Sequence, residues 1–212
     1  MADVHFHFDP VCPWAYLTSR WVVEVQQQRG YDVSWKFISL SMINNDRGYS
    51  EGNKQHQDGH LSGLQALRVA SAARAAAGNE AVAAVYTALG KAIHVDQRRP
   101  KDSTEMKDFA RTVLTEVGLN PQWADSATDE LHDEVIRYET TRALELTGKD
   151  VGTPILVFHP DKPNQASFFG PVISAIPRGP EALRLWDAVE TLATTSGMAE
   201  LKRSLRSAPK FD

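Results

Sequence analysis

The sequence predicts an α/β fold in which a large all-helical insertion separates the βαβ and ββα halves of a sheet domain. Residues 1–43 give a strand, a helix and a strand, and residues 148–212 give two strands followed by a helix. Residues 44–147 hold a polar connection and then only helical patterns. We therefore expect one sheet domain from 1–43 with 148–212, and a helical subdomain from 44–147.

The first half reads as a βαβ unit. Apolar residues alternate with histidines over positions 4–8, the period of a strand. Pro13 fits the first turn of a helix, where its missing N–H costs nothing, and Gly30 ends that helix. A second alternating segment covers 33–38. Strand, helix and strand in this order favour a parallel pair.

The middle of the chain begins with a polar stretch over 44–60, in which Asn44 to Gly48 are expected to form a loop. Apolar residues then recur at helical spacing without an intervening strand, so this block is predicted to be entirely helical. The predicted helices cover 61–78, 82–93, 106–117 and 131–146.

The last part of the chain predicts a β-hairpin and a helix. Residues 154–158 form a buried-strand pattern, a Pro- and Asn-rich turn follows, and 166–169 supply the second strand. Gly179 and Pro180 open a helix, and a last short helix is expected near 201–205. This order of elements is that of a thioredoxin-like core carrying a helical insert.

Composition excludes several classes of function. The 23 basic and 27 acidic residues give a net charge of −4, so nothing favours binding to nucleic acid. No apolar run is long enough to cross a membrane, and the first residues lack the features of a secretion signal. A single cysteine leaves no internal disulfide. We therefore expect a cytoplasmic protein without a membrane anchor.

The lone cysteine, Cys12, falls between the first strand and the helix that begins at Pro13. Unpaired N–H groups and the positive end of the helix dipole favour a thiolate at such a position. The sequence therefore predicts a lowered pKa and a nucleophilic thiol. A small buried apolar residue is the alternative, since most lone cysteines are only that.

A second candidate segment is Val151-Gly152-Thr153-Pro154, which leads into the third strand. In thioredoxin-like folds a proline at this point is cis and lies opposite the reactive cysteine. The backbone of Thr153 is then available to a bound peptide or thiol. A simple loop-to-strand proline remains the alternative, because few X-Pro bonds are cis.

Several motifs together resemble the DsbA-like thioredoxin-fold superfamily, and most of all its actinobacterial mycothiol-dependent nitroreductase group. Kappa-class glutathione transferases and 2-hydroxychromene-2-carboxylate isomerases are relatives in that superfamily. The similarity runs essentially from end to end. The motifs that carry it are Phe8-Asp9-Pro10-Val11-Cys12-Pro13-Trp14-Ala15, Ser19-Arg20-Trp21, Val151-Gly152-Thr153-Pro154, Phe168-Phe169-Gly170-Pro171-Val172, Ile176-Pro177-Arg178-Gly179 and the terminal Pro209, Phe211 and Asp212.

This resemblance implies a cytoplasmic oxidoreductase that uses mycothiol to reduce mixed disulfides and, in some members, nitro-compounds. The partners it implies are a low-molecular-weight thiol and a disulfide or small electrophilic substrate, with a homodimer left open. No metal or nucleotide cofactor is implied. The site residues carried over are the nucleophile Cys12, Pro13, Trp14 as a pocket residue, and Asn44, His94, Thr153 and Pro154 for binding substrate or thiol.

One position departs from the pattern of the family, which is Cys-Pro-Trp-Cys. This chain has Ala15 in place of the second cysteine. A second cysteine would resolve a mixed disulfide by internal exchange. Without it, an external thiol has to release the partner from Cys12. The sequence therefore predicts a monothiol cycle at a Cys-Pro-Trp-Ala motif.

Two other functions remain open. In a kappa-transferase or isomerase type of enzyme the site activates a bound thiol without covalent attack, and turnover survives Cys12→Ser. In a non-catalytic thioredoxin-like binding module, Cys12→Ala leaves partner binding intact. The paired histidines at 5 and 7 and at 56 and 60 lack the further ligands of a metal site, so we expect structural or surface roles for them.

Overall fold

We describe the chain from a computed structural model, which covers residues 2–49, 53–203, 205 and 207–211. Four strands form one sheet, and six α-helices accompany it. The strands are β1 (Val4–Phe8), β2 (Val33–Phe37), β3 (Ile155–Phe158) and β4 (Ala166–Phe169). The α-helices are α1 (Pro13–Arg29), α2 (Leu40–Arg47), α3 (Lys54–Gly90), α4 (Met106–Glu116), α5 (Asp133–Thr147) and α6 (Gly179–Thr194).

The sheet has the strand order β2-β1-β3-β4. β1 pairs with β2 in parallel and with β3 in antiparallel orientation, and β3 and β4 form the predicted hairpin. Phe6, at the centre of β1, lies opposite both Trp35 and Leu156. The structure thus confirms an α/β thioredoxin-like core, with its helical block placed between β2 and β3.

Apolar side chains fill both faces of the sheet. On one face Phe6, Trp35 and Phe158 join a large cluster that includes residues of α1, α3 and α6. On the other face Ile155 and Val157 form a smaller cluster with α2 and α5. The larger cluster runs without interruption into the inserted helices, so sheet and insertion share one core.

The inserted helices also close the outer edge of β2. Asn79 of α3 accepts a hydrogen bond from the Trp35 N–H (2.8 Å) and donates one to the Val33 carbonyl (2.8 Å). Glu139 of α5 accepts from the Phe37 N–H (2.8 Å). A strand edge exposes backbone groups that need partners, and these side chains supply them where a fifth strand would otherwise stand.

One predicted loop and one predicted helix differ from the structure. The segment from Asn44 to Arg47 was expected in a loop but forms the second half of α2. Ser39 caps this helix by accepting a hydrogen bond from the Met42 N–H (3.3 Å), and the Asn44 amide bonds back to the Leu40 carbonyl (2.7 Å). A cap and a local side-chain bond outweigh the weak helix propensity of this polar stretch.

The short helix expected near 201–205 does not form over residues 201–203, while Ser204 lies outside the described residues. Leu201 and Leu205 are 70% and 88% exposed. With no apolar face to bury, so short a helix is unstable in water. The prediction that a helix ends at Gly78 is confirmed, because α3 breaks there with a backbone φ of 79°.

Candidate functional site around Cys12

Cys12 is the residue that caps the N-terminus of α1. Its Sγ accepts a hydrogen bond from the Ala15 N–H at 3.4 Å, in the manner of a capping side chain. Pro13 occupies the first helical position, as predicted. Trp14 follows it, half-buried against the main core cluster. The strand-to-helix junction thus aims the only thiol of the chain at the free N–H groups of the helix.

The loop before β3 closes over the thiol from the opposite side. The Thr153–Pro154 peptide bond is cis, and the Cys12 S–H donates to the Thr153 carbonyl across 3.6 Å. The Thr153 hydroxyl donates to the His7 carbonyl (3.1 Å), which fixes this loop to β1. The structure therefore brings together Cys12, Thr153 and Pro154, which lie about 140 positions apart in sequence.

The expected low pKa of Cys12 is not what the structure gives. Burial raises the pKa of the Cys12 thiol to about 12, and the charge of Asp9 adds to this effect. The N–H groups of Ala15 and Trp14 do act in the predicted direction, toward the thiolate. They are outweighed because Cys12 is only 7% exposed, and loss of hydration disfavours any buried charge.

Asp9 is a residue of this site that the sequence analysis missed. It directly follows β1, is completely buried, and accepts hydrogen bonds from the Val11 N–H (3.1 Å) and the Leu40 N–H (2.8 Å). Burial raises the pKa of Asp9 to about 7, and only these two N–H groups act against it. The sequence around Asp9 contains no basic partner for its carboxylate, so nothing in it indicated that Asp9 would be buried beside Cys12.

His94 lies behind the Cys12 loop, in a short π-helix that continues α3 over Lys91–Val95. Its Nε2 is 2.9 Å from the Pro10 carbonyl, which can only accept, so Nε2 carries the proton. Its Nδ1 is buried and has no hydrogen-bond partner within the described part of the chain. Burial lowers the pKa of His94 to about 4, which makes this a neutral imidazole that supports the loop.

Two aromatic rings enclose His94. Tyr16, one helical turn after Cys12, has its ring centroid 5.2 Å from the His94 ring. Phe211, from the end of the chain, stacks on His94 at 5.7 Å with an interplanar angle of 19°. The Lys210 N–H donates to the Ser174 carbonyl (2.8 Å) and fixes the approach of this segment. Asp212, the last residue of the terminal motif, lies outside the described residues.

Asn44 does not enter the same set of contacts. Its side-chain amide bonds within α2, and its link to the site is indirect, since Leu40 at the start of that helix donates to Asp9. Among the described residues no group of His, Cys, Asp and Glu could hold a metal ion. No described helix is long and apolar enough to cross a membrane.

A thioredoxin-type sheet, a cysteine that caps the first helix and a cis-proline loop against its sulfur define a thioredoxin-fold oxidoreductase site. Residues 11–203 match the family described as Rv2466c-like, mycothiol-dependent nitroreductase Rv2466c. The chain belongs to this family. It is also 34% identical to the uncharacterized protein Rv2286c of Mycobacterium tuberculosis (strain ATCC 25618 / H37Rv). The aligned 206 residues cover 96% of this chain and 82% of that protein.

Solved structures share the fold at low sequence identity. A 2-hydroxychromene-2-carboxylate isomerase superposes with a TM-score of 0.57 at 16% identity, covering 89% of this chain and 93% of that one. A putative protein disulfide isomerase from Nitrosomonas europaea gives 0.55 at 12% identity, covering 88% and 95%. The cytosolic disulfide reductase DsbM from Pseudomonas aeruginosa with GSH gives 0.51 at 17%, covering 74% and 86%. At these identities the likeness concerns the DsbA-like thioredoxin fold.

Proposed function

We propose that this protein is a monothiol thiol–disulfide oxidoreductase in which Cys12 exchanges disulfides with a low-molecular-weight thiol, mycothiol. The observation that carries the proposal is the position of Cys12, which caps α1 with its Sγ 3.6 Å from the Thr153 carbonyl. Membership in a family described as mycothiol-dependent supports the choice of thiol. A cytoplasmic location and a homodimer stay predictions.

The cycle consists of two exchanges at one sulfur. The Cys12 thiolate attacks the mycothiol sulfur of a mycothiolated substrate, a Cys12–mycothiol disulfide forms, and the substrate leaves as a thiolate that takes up a proton. A second mycothiol thiolate then attacks the mycothiol sulfur of that adduct, which yields mycothiol disulfide and frees the Cys12 thiolate. In sum, one mycothiol thiol and the mycothiolated substrate give the free substrate thiol and mycothiol disulfide, so the substrate sulfur is reduced and the sulfur of the incoming mycothiol is oxidised.

Three features of the site support this cycle. The N–H groups of Ala15 and Trp14 favour the thiolate whenever it forms, as nucleophile and as leaving group. The Thr153 carbonyl accepts the S–H while the thiol is at rest. Ala15 stands where a resolving cysteine would be, so release depends on the external thiol.

The test is to incubate the protein with mycothiol disulfide and to follow its mass. We expect one mycothiol adduct on the wild type and none on Cys12→Ser, with release on addition of mycothiol. Ala15→Cys is the matched variant: it restores a dithiol motif, so the adduct should resolve internally without added thiol. A wild type that forms no adduct under conditions in which mycothiol disulfide oxidises Ala15→Cys to its internal disulfide would contradict the monothiol cycle.

One result would favour an alternative, and a second assay tests the role of Cys12 directly. Turnover of a small electrophile that survives Cys12→Ser would indicate the transferase or isomerase type. The 2-hydroxychromene-2-carboxylate isomerase with a similar fold is an example of the latter type. The family's description also makes reduction of a nitro-compound by two equivalents of mycothiol a direct assay. Loss of that activity in Cys12→Ser would assign it to the same sulfur.

A further inference from the structure

Asp9 is the one fully buried acid beside Cys12, and the proposed cycle gives it no role. Its two carboxylate oxygens bind different segments: Oδ1 accepts from Val11 in the Cys12 loop and Oδ2 accepts from Leu40 at the start of α2. The Cys12 N–H in turn donates to the Asp9 carbonyl (3.1 Å). Two acceptor oxygens are required here, so an asparagine would turn a donor toward one of these N–H groups.

Among the described residues, no positively charged side chain compensates the charge of Asp9. Its charge acts on the Cys12 thiol, whose backbone N–H donates to the Asp9 carbonyl, and on Tyr49 after α2, whose phenol bonds to His60 at 2.9 Å. From α3 it meets Gly63, where a Cβ would lie 2.5 Å from Oδ1. An ionised Asp9 therefore disfavours ionisation of Cys12, and the same coupling works in reverse.

We propose that Asp9 is the positioning residue that controls when Cys12 becomes reactive: it holds the Cys12 loop to α2 and, while ionised, keeps the thiol protonated. Neutralising Asp9 removes this repulsion and makes the thiolate easier to form. The inference deepens the proposed function and rests on Cys12 as its reactive group. It does not depend on which thiol or substrate the protein uses.

The coupling has a definite signature in the rate of Cys12 alkylation. Because burial raises the pKa of Asp9 to about 7, this carboxyl ionises in the middle of the accessible pH range. Below that pH the thiol faces a neutral acid, and above it a carboxylate. The logarithm of the rate with iodoacetamide should therefore rise with unit slope at low and at high pH, and flatten around pH 7 in between.

The experiment uses the full chain, in which Cys12 is the only thiol, so that every alkylation reports on this site. We expect the flattened profile in the wild type and a single straight line of unit slope in Asp9→Asn. At pH 8.5 Asp9→Asn should react about threefold faster or more than the wild type. Asp3→Asn, at the other end of β1, is the matched control and should keep the wild-type profile.

Two outcomes would overturn the inference. One is a wild-type profile that is straight from pH 5.5 to 9, a result that needs no variant and holds even if Asp9→Asn fails to fold. The other is a folded Asp9→Asn whose profile keeps the flattened region, which would leave Asp9 a purely structural role. Neither outcome depends on mycothiol, so a failure here is distinct from a failure of the proposed function.

Discussion

Gly63 of α3 lies so close to Asp9 that a Cβ on this glycine would stand 2.5 Å from the Asp9 Oδ1. The same Cβ would meet the Val11 side chain at 2.7 Å. Helix α3 therefore passes the Cys12 loop at a distance that only glycine allows. Asp9 is completely buried at this contact.

Gly63→Ala should consequently destabilise the protein, by about 1–3 kcal/mol, because buried loop atoms have to move. Gly59→Ala is the control in the same helix, since a Cβ there meets no atom within 4 Å. We expect it to stabilise the protein by roughly 0.5–1 kcal/mol through helix propensity. Urea unfolding measures both, and equal effects of the two substitutions would contradict the close approach.

The carboxylate of Glu139 is expected to matter more than a surface charge. It accepts the Phe37 N–H at the sheet edge and pairs with Arg74 (2.9 Å) and Lys36 (3.5 Å) while nearly buried. Glu139→Ala leaves the strand N–H without its acceptor and should cost about 1–3 kcal/mol of unfolding free energy. The exposed pair of Asp46 and Arg137 is the comparison.

For Asp46→Ala, removal of an exposed ion pair should cost less than about 1 kcal/mol. Glu139→Gln separates the two contributions at the sheet edge, since its amide oxygen still accepts the Phe37 N–H but carries no charge. A Glu139→Ala variant no less stable than Asp46→Ala would show that the β2 edge does not need this acceptor. The measurement is the denaturant midpoint of each variant and of the wild type, all at one pH.

His94 should make the folded state sensitive to acid. Its pKa is lowered by burial to about 4, whereas the unfolded chain binds that proton near pH 6.5. Stability is therefore lost as pH falls from about 6.5 to 4, by about 3 kcal/mol at most. Asp9 contributes with the opposite sign over much of this range, because its pKa is raised.

His94→Gln isolates the histidine contribution, because glutamine keeps an N–H donor for the Pro10 carbonyl and does not titrate. Denaturant unfolding at pH 4.5 and 7.5 should show a smaller difference between the two pH values than in the wild type. His56→Gln, at an exposed position, should leave that difference unchanged. If His94→Gln behaves like His56→Gln, the imidazole is not buried in solution.

Phe211 is expected to keep His94 out of contact with water. Phe211→Ala removes the stacked ring, so the pKa of His94 should rise from about 4 toward its ordinary value. The loss of apolar contact should also lower the unfolding free energy by about 1–2 kcal/mol. The pKa is read from the imidazole resonances by NMR.

Leu205→Ala is the control for that substitution, because Leu205 precedes Phe211 in the same segment and is 88% exposed. It should change neither the pKa of His94 nor the stability. A His94 pKa that is the same in Phe211→Ala and in the wild type would mean that the terminal segment does not rest on this ring.

Local signals in the sequence were sufficient for the framework of the site. Three signals each involve only a few neighbouring residues: the alternation before Asp9, the proline after Cys12 and the Thr153-Pro154 pair. The structure contains the strand, the helix and the cis-proline that they predict. Asn44 was misplaced because the sequence analysis did not consider Ser39, just after the predicted strand over 33–38, as the cap that starts a helix.

The electrostatic state of Cys12 could not be predicted in the same way. A helix N-terminus is visible in the sequence, but burial of the thiol depends on α3 and on the loop before β3, which arrive from distant parts of the chain. The same applies to Asp9, whose pKa is raised by burial. Long-range packing, rather than local motif, decides the charge of both groups.

The hydrogen bonds from Asn79 and Glu139 to β2 have a consequence for modularity. A minimal thioredoxin made by excising residues 44–147 would leave the N–H groups of Trp35 and Phe37 facing outward on an open strand. Such an edge is a template for pairing between chains. The helical segment is therefore not separable from the sheet: in the shortened protein the β2 edge would lose the side chains that cap it, and we expect that protein to self-associate.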